Sequence, residues 1–462
     1  MSRQGCCTLP GDSAGRVLDR LTGLEQVISR ETMRQALLDA DRLNGRSCPL
    51  THEVMLWVVL AMGVLTELPI RQVFKYARRL RVKEKSPARS SLCEGRKRLG
   101  VEPVRLVVQN VVRPLAKPDT PGAFYHGLRL IGCDGTVGDA PDSPANATAF
   151  HRATGSRGDG AFPQVRKVSL VELGTHVEFA FAVGGWQNSE TLLAEQLFDR
   201  IPADALLLED RGFFSYSSWK KLTRLGVQLL VRIKKHMVLK KLHALSDGSF
   251  LAKIYASAKE RQKDQNGILV RVIEYTLNDP QRVGHGEVHR LMTTLLDEHL
   301  YPAEELILLY HERWEEELVF DEQKTHQDPR RASKPANLRS ETPQGVLQEM
   351  YALSLGHFVT RALMFEAAEQ AQIDVDRLSF TGCFQILKCR LPECDSRSPE
   401  EIERWVAGLL WEMGQETIEP RRNRINPRVI KRKMSKWPKK RSQHRHPPRL
   451  KKRFEETVVM IS

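Results

Sequence analysis

The chain contains 462 residues and has a formal net charge of +14, and this length predicts more than one domain with a large buried core. Residues 421–453 contain 16 Lys and Arg and no acidic residue, whereas the rest of the chain has 55 basic and 57 acidic residues, so the excess charge forms one polycationic tail. The eight cysteines lack paired Cys-x2-Cys spacing, which argues against a zinc site or a disulfide framework and is typical of a cytosolic protein.

The first predicted elements are helices. Residues 18–41 carry apolar residues at helical spacing, and residues 51–65 form a second apolar helix, too short to span a bilayer, with Thr51 as its N-cap. Residues 70–80 predict a helix that is rich in Lys and Arg. A further basic helix is predicted to have Ser90 or Ser91 as its cap and to end near Arg96. Short basic helices are typical of a helix-turn-helix DNA reader, but a helical scaffold with a solvated basic face explains them equally well.

Two later apolar runs each end in an aspartate. Residues 128–133 precede Asp134, and residues 205–209 precede Asp210, so each run predicts a β-strand with a carboxylate at its carboxyl end. Taken alone, an aspartate after a strand is more often a turn former or a helix cap. Asp-Gly-Thr also occurs in aspartyl phosphatases, but those enzymes need a second acid two positions earlier, where this chain has Gly132.

The segments around these strands complete a recognisable order. Residues 139–160 are rich in Pro, Gly, Asp and Asn and predict a loop. Residues 164–183 predict a hairpin, residues 189–198 a helix, and residues 216–233 a helix followed by a strand. Strand, hairpin, helix, strand, helix is the order of a ribonuclease H-like fold. Open α/β sheets of this kind place their sites at the carboxyl ends of strands.

The rest of the chain alternates between β and helical patterns. Residues 236–301 predict a mostly β insertion, and residues 347–371 predict a long amphipathic helix. Residues 373–419 predict further helices. The basic tail that follows cannot form a core and predicts a polyanionic partner. Its Lys and Arg would contact phosphates without reading base sequence.

Residues 304–327 contain no Gly or Pro and follow Pro302, which predicts one continuous helix. On a helical wheel Tyr310, Arg313, Glu317 and Lys324 fall within roughly 60° of one another. Arg and Lys suit phosphate oxygens, and a carboxylate suits a hard metal ion. A charged, solvent-exposed helix is the plainer interpretation of this segment taken alone.

The spacing Tyr-x2-Arg-x3-Glu-x6-Lys resembles the signature of bacterial insertion-sequence transposases of the DDE class, specifically the insertion sequence 4 family. Together with Asp-Gly-Thr and Asp-Arg-Gly-Phe, this resemblance covers most of residues 128–330. It implies an α/β fold, with a ribonuclease H-like catalytic core, a mostly β insertion and a helical N-terminal domain that binds DNA. One departure is Glu316, because the family usually has an apolar residue directly before the catalytic glutamate.

The resemblance implies a site in which Asp134, Asp210 and Glu317 are both catalytic and metal-binding, with two Mg²⁺ or Mn²⁺ ions bridged by Asp134. A water molecule would cut at the transposon end, and the freed 3′-hydroxyl would then attack target DNA. The residues expected to bind DNA are Tyr310, Arg313, Lys324, Arg211, Lys431, Arg432, Lys433, Lys439, Lys440 and Arg441.

The expected domains are a helical N-terminal domain (1–120), a first part of the catalytic core (121–235), a β-rich insertion (236–301), a second part of the core (302–372), a helical C-terminal region (373–420) and the basic tail (421–462). The expected partners are double-stranded DNA, as transposon inverted repeats and target, and a second copy of the chain on that DNA. A bacterial, nucleoid-associated protein without a membrane anchor is implied. Two alternatives stay open, namely a catalytically inactive DNA-binding relative and a nuclease of the same fold that cuts without joining.

Overall fold

The computed structural model of the protein describes residues 19–43, 50–78, 85–154, 158–276, 286–327, 338–394 and 398–419. The basic tail, with Lys431, Arg432, Lys433, Lys439, Lys440 and Arg441, therefore lies outside the described residues. Among the helices within these ranges, none is both long enough and apolar enough to cross a membrane.

The amino-terminal region is helical, as its apolar periodicity predicts. A 3₁₀ helix is followed by five α-helices, with the bounds Asp19–Gln26 (3₁₀), Arg30–Asp39 (α1), His52–Ala61 (α2), Ile70–Ala77 (α3), Arg89–Leu99 (α4) and Glu102–Val111 (α5). The hydroxyl of Thr51 caps α2 by accepting from the backbone N–H of Val54, so this predicted cap is confirmed. The serine cap expected for α4 is wrong, because that helix begins one residue after Ala88 and has no side-chain cap.

Arg96 shows that not every basic residue of this region faces solvent. Its buried guanidinium donates to Gln348 Oε1 at 2.7 Å, to Ser340 Oγ at 2.9 Å and to the carbonyl of Gly345. Burial lowers the pKa of Arg96, although the nearby carboxylate of Glu349 opposes that shift. For this residue, the scaffold interpretation of the basic helices holds and the DNA-reading interpretation does not.

One mixed ten-stranded sheet forms the centre of the molecule. Its strands are Phe124–Tyr125 (β1), Leu128–Asp139 (β2), Gln164–Glu172 (β3), Val177–Gly185 (β4), Ala205–Glu209 (β5), Gln228–Arg232 (β6), His243–Ala244 (β7), Phe250–Ile254 (β8), Ile268–Tyr275 (β9) and His289–Thr293 (β10). The strand order is β4-β3-β2-β5-β6-β10-β9-β8-β7, with β1 beside β2. Strands β2, β5 and β6 are parallel, and the other neighbours are antiparallel.

The β-rich insertion continues this sheet. Strand β10 pairs antiparallel with β6, for example Met292 with Val231, and β9, β8 and β7 follow outward. The strand–hairpin–helix–strand core and its β insertion give the α/β, ribonuclease H-like arrangement that the sequence predicts, preceded by the helical N-terminal region.

Two details between β2 and β3 differ from the sequence prediction. Strand β2 continues to Asp139, because β3 pairs with it from Ile131 to Asp139. Asp134 therefore lies inside a strand and not at its end. The predicted loop after it contains a further helix, Pro144–Phe150 (α6). Ser143 caps this helix and Pro144 occupies its first turn, a combination that favours a helix start within the predicted loop.

The remaining helices lie later in the chain, and some of them pack on the sheet. They are Glu190–Glu195 (α7), Tyr216–Arg224 (α8), Ala258–Lys263 (α9), Ala303–His311 (α10), Glu315–Asp321 (α11), Pro343–Ala371 (α12), Phe380–Arg390 (α13) and Pro399–Gly414 (α14). Leu206 and Leu208 of β5 pack in one core with Leu306 of α10, whereas Leu207 belongs to the larger core on the opposite face. This alternation is the period of a strand that is buried on both sides.

Helix α12 is the central helix of the larger core. It has 29 residues, most of which are buried, and it packs against α2, α5, α13, α14 and β4. Gly63, just after α2, and Gly356 of α12 allow the two backbones to meet closely, since a Cβ added at Gly63 would lie 1.8 Å from the carbonyl oxygen of Ala352.

Residues 303–326, hereafter the signature segment, do not form the single regular helix that the sequence predicts. Helix α10 is followed by a 3₁₀ turn, Glu312–Trp314, then by α11, and then by a π-helical turn, Glu322–His326. The backbone N–H of Gln327 donates to the carbonyl of Glu322 at 2.7 Å and closes the wide turn. A regular helical wheel therefore does not describe which side chains share a face here.

Candidate active site

Asp134 and Asp210 are neighbours at one edge of the parallel part of the sheet. Cys133 of β2 pairs with Glu209 of β5, so the two aspartates are the next residues on adjacent parallel strands. One carboxylate oxygen of Asp134 accepts from the backbone N–H of Gly135 at 2.7 Å. Oδ1 of Asp210 is buried and accepts no hydrogen bond from any residue that the structure describes. The structure thus brings together the two acids that the strand pattern singles out.

Tyr310 and Arg313 of the signature segment lie directly against these strand ends. The hydroxyl of Tyr310 donates to the carbonyl of Glu209 at 3.2 Å. Nη1 of Arg313 is 3.4 Å from Oδ2 of Asp134 and 3.2 Å from Oε2 of Glu316. Burial alone would lower the pKa of Arg313, but Glu316, Tyr310, Asp134 and Asp210 together outweigh burial and the pKa is raised, so this guanidinium stays charged.

The three consecutive glutamates of α11 have different surroundings. Glu315 is buried and accepts from the backbone N–H of Gly174 at 2.9 Å. Glu316 is fully buried over Gly132, where an added Cβ would come within 1.6 Å of its Oε1. Gly132 and Asp134 share a face of β2, because they are two positions apart. Glu317 is partly exposed.

Asp134, Asp210 and Glu317 do not form a compact trio in this structure. Across the described ranges, only one group of three His, Cys, Asp or Glu residues has ligand atoms that all lie within 4.8 Å of one another, and its members are His176, Glu315 and Asp376. Glu316 of α11 contacts Arg313, which in turn contacts Asp134. Glu316 is therefore a residue of the site that the sequence pattern marked only as a departure.

The group of His176, Glu315 and Asp376 does not fit a metal ion. A guanidinium has only donors, so Nη2 of Arg361 donates to Nδ1 of His176, 3.0 Å away. The neutral imidazole then carries its proton on Nε2, which lies 3.3 Å from a carboxylate oxygen of Glu315 and 3.1 Å from one of Asp376. A protonated Nε2 cannot bind a cation, so the ring bridges two buried carboxylates instead.

The carboxylates at the strand ends do fit a hard divalent cation. Asp134, Asp210 and Glu316 offer only oxygen donors, and Oδ1 of Asp210 and Oε1 of Glu316 are buried without a hydrogen-bond partner. Burial raises the pKa of Glu209 to about 7, and burial also raises the pKa of Glu316. The carboxylates grouped around the guanidinium of Arg313 supply the oxygen ligands that Mg²⁺ and Mn²⁺ prefer.

Two further basic residues of the sequence prediction, Lys324 and Arg211, have different surroundings. Nζ of Lys324 donates to the carbonyl of Val137 at 3.0 Å, three residues beyond Asp134 along β2 and thus about 10 Å further. Lys324 also lines a small cavity with Thr136, Gly138 and Met350. Arg211 follows Asp210 and is exposed. Lys324 thus places a basic group further along β2 from Asp134, and Arg211 is next to Asp210 in the chain.

Comparison with known proteins agrees with these observations. Residues 18–109 match the family described as the N-terminal region of the insertion element 4 transposase, and residues 127–342 match the transposase DDE domain. The transposase InsG for insertion sequence element IS4 of Escherichia coli (strain K12) is 30% identical over 429 residues, which are 90% of this chain and 93% of that protein. The putative transposase InsZ of the same organism is 30% identical over 129 residues, which are 28% of this chain and 43% of the InsZ chain. With two aspartates where the parallel pairing of β2 and β5 ends, beneath a Tyr-Arg-Glu-Lys segment, this chain belongs to the insertion sequence 4 family of DDE transposases, enzymes that act on DNA and use divalent metal ions.

Proposed function

We propose that this transposase cuts DNA at the ends of its own element and joins the freed ends to target DNA in a cut-and-paste reaction. The observation that supports this most directly is the meeting of Asp134 and Asp210 on adjacent strands, with Arg313 in contact with Asp134. Acids and a fixed guanidinium at one sheet edge suit the transfer of a phosphoryl group, which depends on positioning and charge.

In this proposal Asp134, Asp210 and Glu317 would hold the two Mg²⁺ or Mn²⁺ ions. Such ions would lower the pKa of the attacking water or hydroxyl group and would stabilise the negative charge on the leaving oxygen. Asp210 has a buried oxygen without a hydrogen-bond partner, and this group gains a partner when a cation binds. Glu317 is partly exposed on α11 and follows Glu316 in the chain.

The basic and phenolic groups hold the scissile strand. Arg313 is charged and fixed by two carboxylates, so its remaining donors are pre-oriented for a phosphate oxygen. Tyr310 fixes the carboxyl end of α10 on β5 through its bond to Glu209. Lys324 places a second positive charge further along β2. Cleavage by water and attack by the 3′-hydroxyl are one reaction class, so one site serves both steps.

Joining can be separated from cutting in one assay. We expect the protein with Mg²⁺ to cut DNA that carries the element's ends, and to join pre-cleaved ends to a plasmid, with both activities lost in EDTA. Cutting without joining would identify a nuclease of the same fold. DNA binding without either activity would identify an inactive relative, and activity that survives EDTA would contradict the proposed metal dependence.

The basic tail is expected to add non-specific DNA affinity. A chain truncated after Glu419 loses 16 Lys and Arg, so we expect its DNA affinity at low salt to fall at least about tenfold. The dependence of affinity on salt concentration should become less steep, because fewer counterions are released. The control is a full-length chain with Gln in place of the tail's Lys and Arg, which should behave like the truncation. An unchanged salt dependence would exclude the tail from DNA binding.

We also propose that two copies act together on the paired inverted repeats, because an element is excised only if both of its ends are cut. Inverted repeats that flank the gene would support this, and their sequence would provide the substrate for the assays above.

A further inference from the structure

We propose that a buried ionic chain sets the register of the signature segment over the strand ends, with Arg361 of α12 as its central positioning residue. The ionic chain consists of Glu315, His176, Arg361 and Glu322. It rests on the proposed function, because register matters only if Arg313 and its neighbours on the signature segment act in catalysis.

The contacts of the ionic chain are continuous. Nε of Arg361 donates to Oε2 of Glu322 at 3.1 Å, and Nη2 donates to the other oxygen of the same carboxylate. Nη2 also donates to Nδ1 of His176 at 3.0 Å, and Nε2 of His176 lies 3.3 Å from Glu315. His357, one turn before Arg361, adds a contact of 3.0 Å to Glu322. The guanidinium of Arg361 thus contacts Glu322, directly after α11, and is connected through His176 to Glu315, the first residue of α11.

All members of the ionic chain are buried, with at most 5% of any side chain exposed. Burial would raise the pKa of Glu322, but Arg361 and His357 outweigh burial and the pKa is lowered, so Glu322 is ionised. A buried carboxylate is tolerated only where its partners are in place. A slip of the signature segment by one residue would remove Glu322 from those partners and is therefore strongly disfavoured.

The ionic chain fixes the segment relative to the sheet that carries the aspartates. His176 lies in the turn between β3 and β4, and β3 pairs directly with β2 beside Asp134. Glu315 begins α11, and Glu322 begins the π-helical turn seven positions later. In the chain, Arg313 comes just before Glu315, and Lys324 comes just after Glu322. Anchors at both ends of α11 therefore determine where the groups that face DNA are placed.

A second set of contacts holds the fold independently of Arg361. Gln323 donates to Oε2 of Glu178 at 3.0 Å, and its own oxygen accepts from Lys167 at 3.0 Å. The side chain of Gln327 donates to the carbonyls of Gly63 and Leu353, each at 2.8 Å. Because these contacts remain when the ionic chain is removed, the segment can stay docked while its register becomes less well defined.

The test separates stability from positioning. Arg361→Met alone leaves Glu322 buried without its guanidinium, so we expect a large fall in Tm. In the double variant Arg361→Met/Glu322→Met an apolar pair replaces the ion pair, a change that often restores stability. We expect the double variant to have a Tm within a few degrees of wild type, to bind element-end DNA with unchanged Kd, and to cleave with a kcat at least about tenfold lower.

The matched control is a second, largely buried Arg–Glu pair that also joins α12 to another element, here α4. Arg96 and Glu349 lie 3.7 Å apart, and Glu349 belongs to α12 without belonging to the ionic chain. Arg96→Met/Glu349→Met should therefore cleave at a rate that follows its stability alone. Arg361→Lys keeps the charge but cannot bond His176 and both oxygens of Glu322, so we expect a near-normal Tm and a reduced kcat.

Hydrogen exchange gives a readout that does not need activity. In the double variant we expect faster exchange of the backbone amides of residues 315–326 and unchanged exchange in α13. If wild-type protein fails to cleave, the proposed function fails, and the exchange result still decides the positioning role. A folded double variant, or a folded Arg361→Lys variant, with wild-type kcat and wild-type exchange would overturn the inference.

Discussion

Replacing Asp134 or Asp210 by alanine is expected to lower strand cleavage by at least about 10³-fold while leaving DNA affinity within about twofold. Each aspartate presents a carboxylate at the edge where β2 and β5 meet, and Oδ1 of Asp210 has no hydrogen-bond partner of its own. Removing either one deletes a candidate metal ligand and leaves every basic side chain in place, although the Asp134 variant also loses one of the two carboxylate contacts of Arg313. Cleavage of end-labelled DNA, with affinity measured in Ca²⁺, is the assay.

The control for this prediction lies on the same strand. Asp204 is exposed at the amino end of β5, at the opposite edge of the sheet from Asp210. Asp204→Ala should therefore cleave at the wild-type rate. Normal cleavage by the Asp134 or the Asp210 variant would remove that residue from the catalytic site.

The second large effect distinguishes two adjacent glutamates. Glu317→Ala is expected to lower cleavage about 10³-fold, because the signature spacing assigns Glu317 as the third metal ligand. Glu316→Gln should cost only about tenfold, because it weakens the hold on Arg313 and leaves the oxygen ligands of the aspartates intact. Cleavage rate against Mn²⁺ concentration is the measurement for both variants.

The reverse result would reassign the site. If Glu317→Ala cleaves well and Glu316→Gln does not, the third ligand is Glu316, the acid that the structure places over Gly132 and beside Arg313. A second check is Gly132→Ala, which introduces a Cβ where Oε1 of Glu316 lies and should act like a Glu316 variant. DNA affinity should be unchanged in all three.

Local patterns predicted the elements that carry the aspartates. Strand β5 ends at Glu209 as its apolar run indicates, Thr51 caps α2, and the hairpin of β3 and β4 forms as expected. These features depend on interactions within a few residues, or on a period of two, and such signals are visible in sequence. The layout of strand-end acids follows from them, because parallel neighbours end at one edge.

The rest of the site depends on contacts between distant residues. The break of the signature segment into α10, α11 and a π-helical turn is not marked by Gly or Pro, and it accompanies buried contacts of Glu322 with α12. Arg361 follows Glu322 by 39 positions, and nothing in its own surroundings in the sequence signals a partner. Arg96 likewise looks like a DNA-facing residue until α12 is packed against it.

Helix α12 has a practical consequence for where the catalytic unit ends. The match to the DDE domain stops at residue 342, yet α12 begins at Pro343 and supplies His357 and Arg361 to Glu322. A recombinant fragment trimmed at that match would expose an extensive apolar surface and leave an acid inside it without its counter-charge. Aggregation during expression would be the result, so the smallest useful catalytic fragment must keep this helix and the helices that cover it.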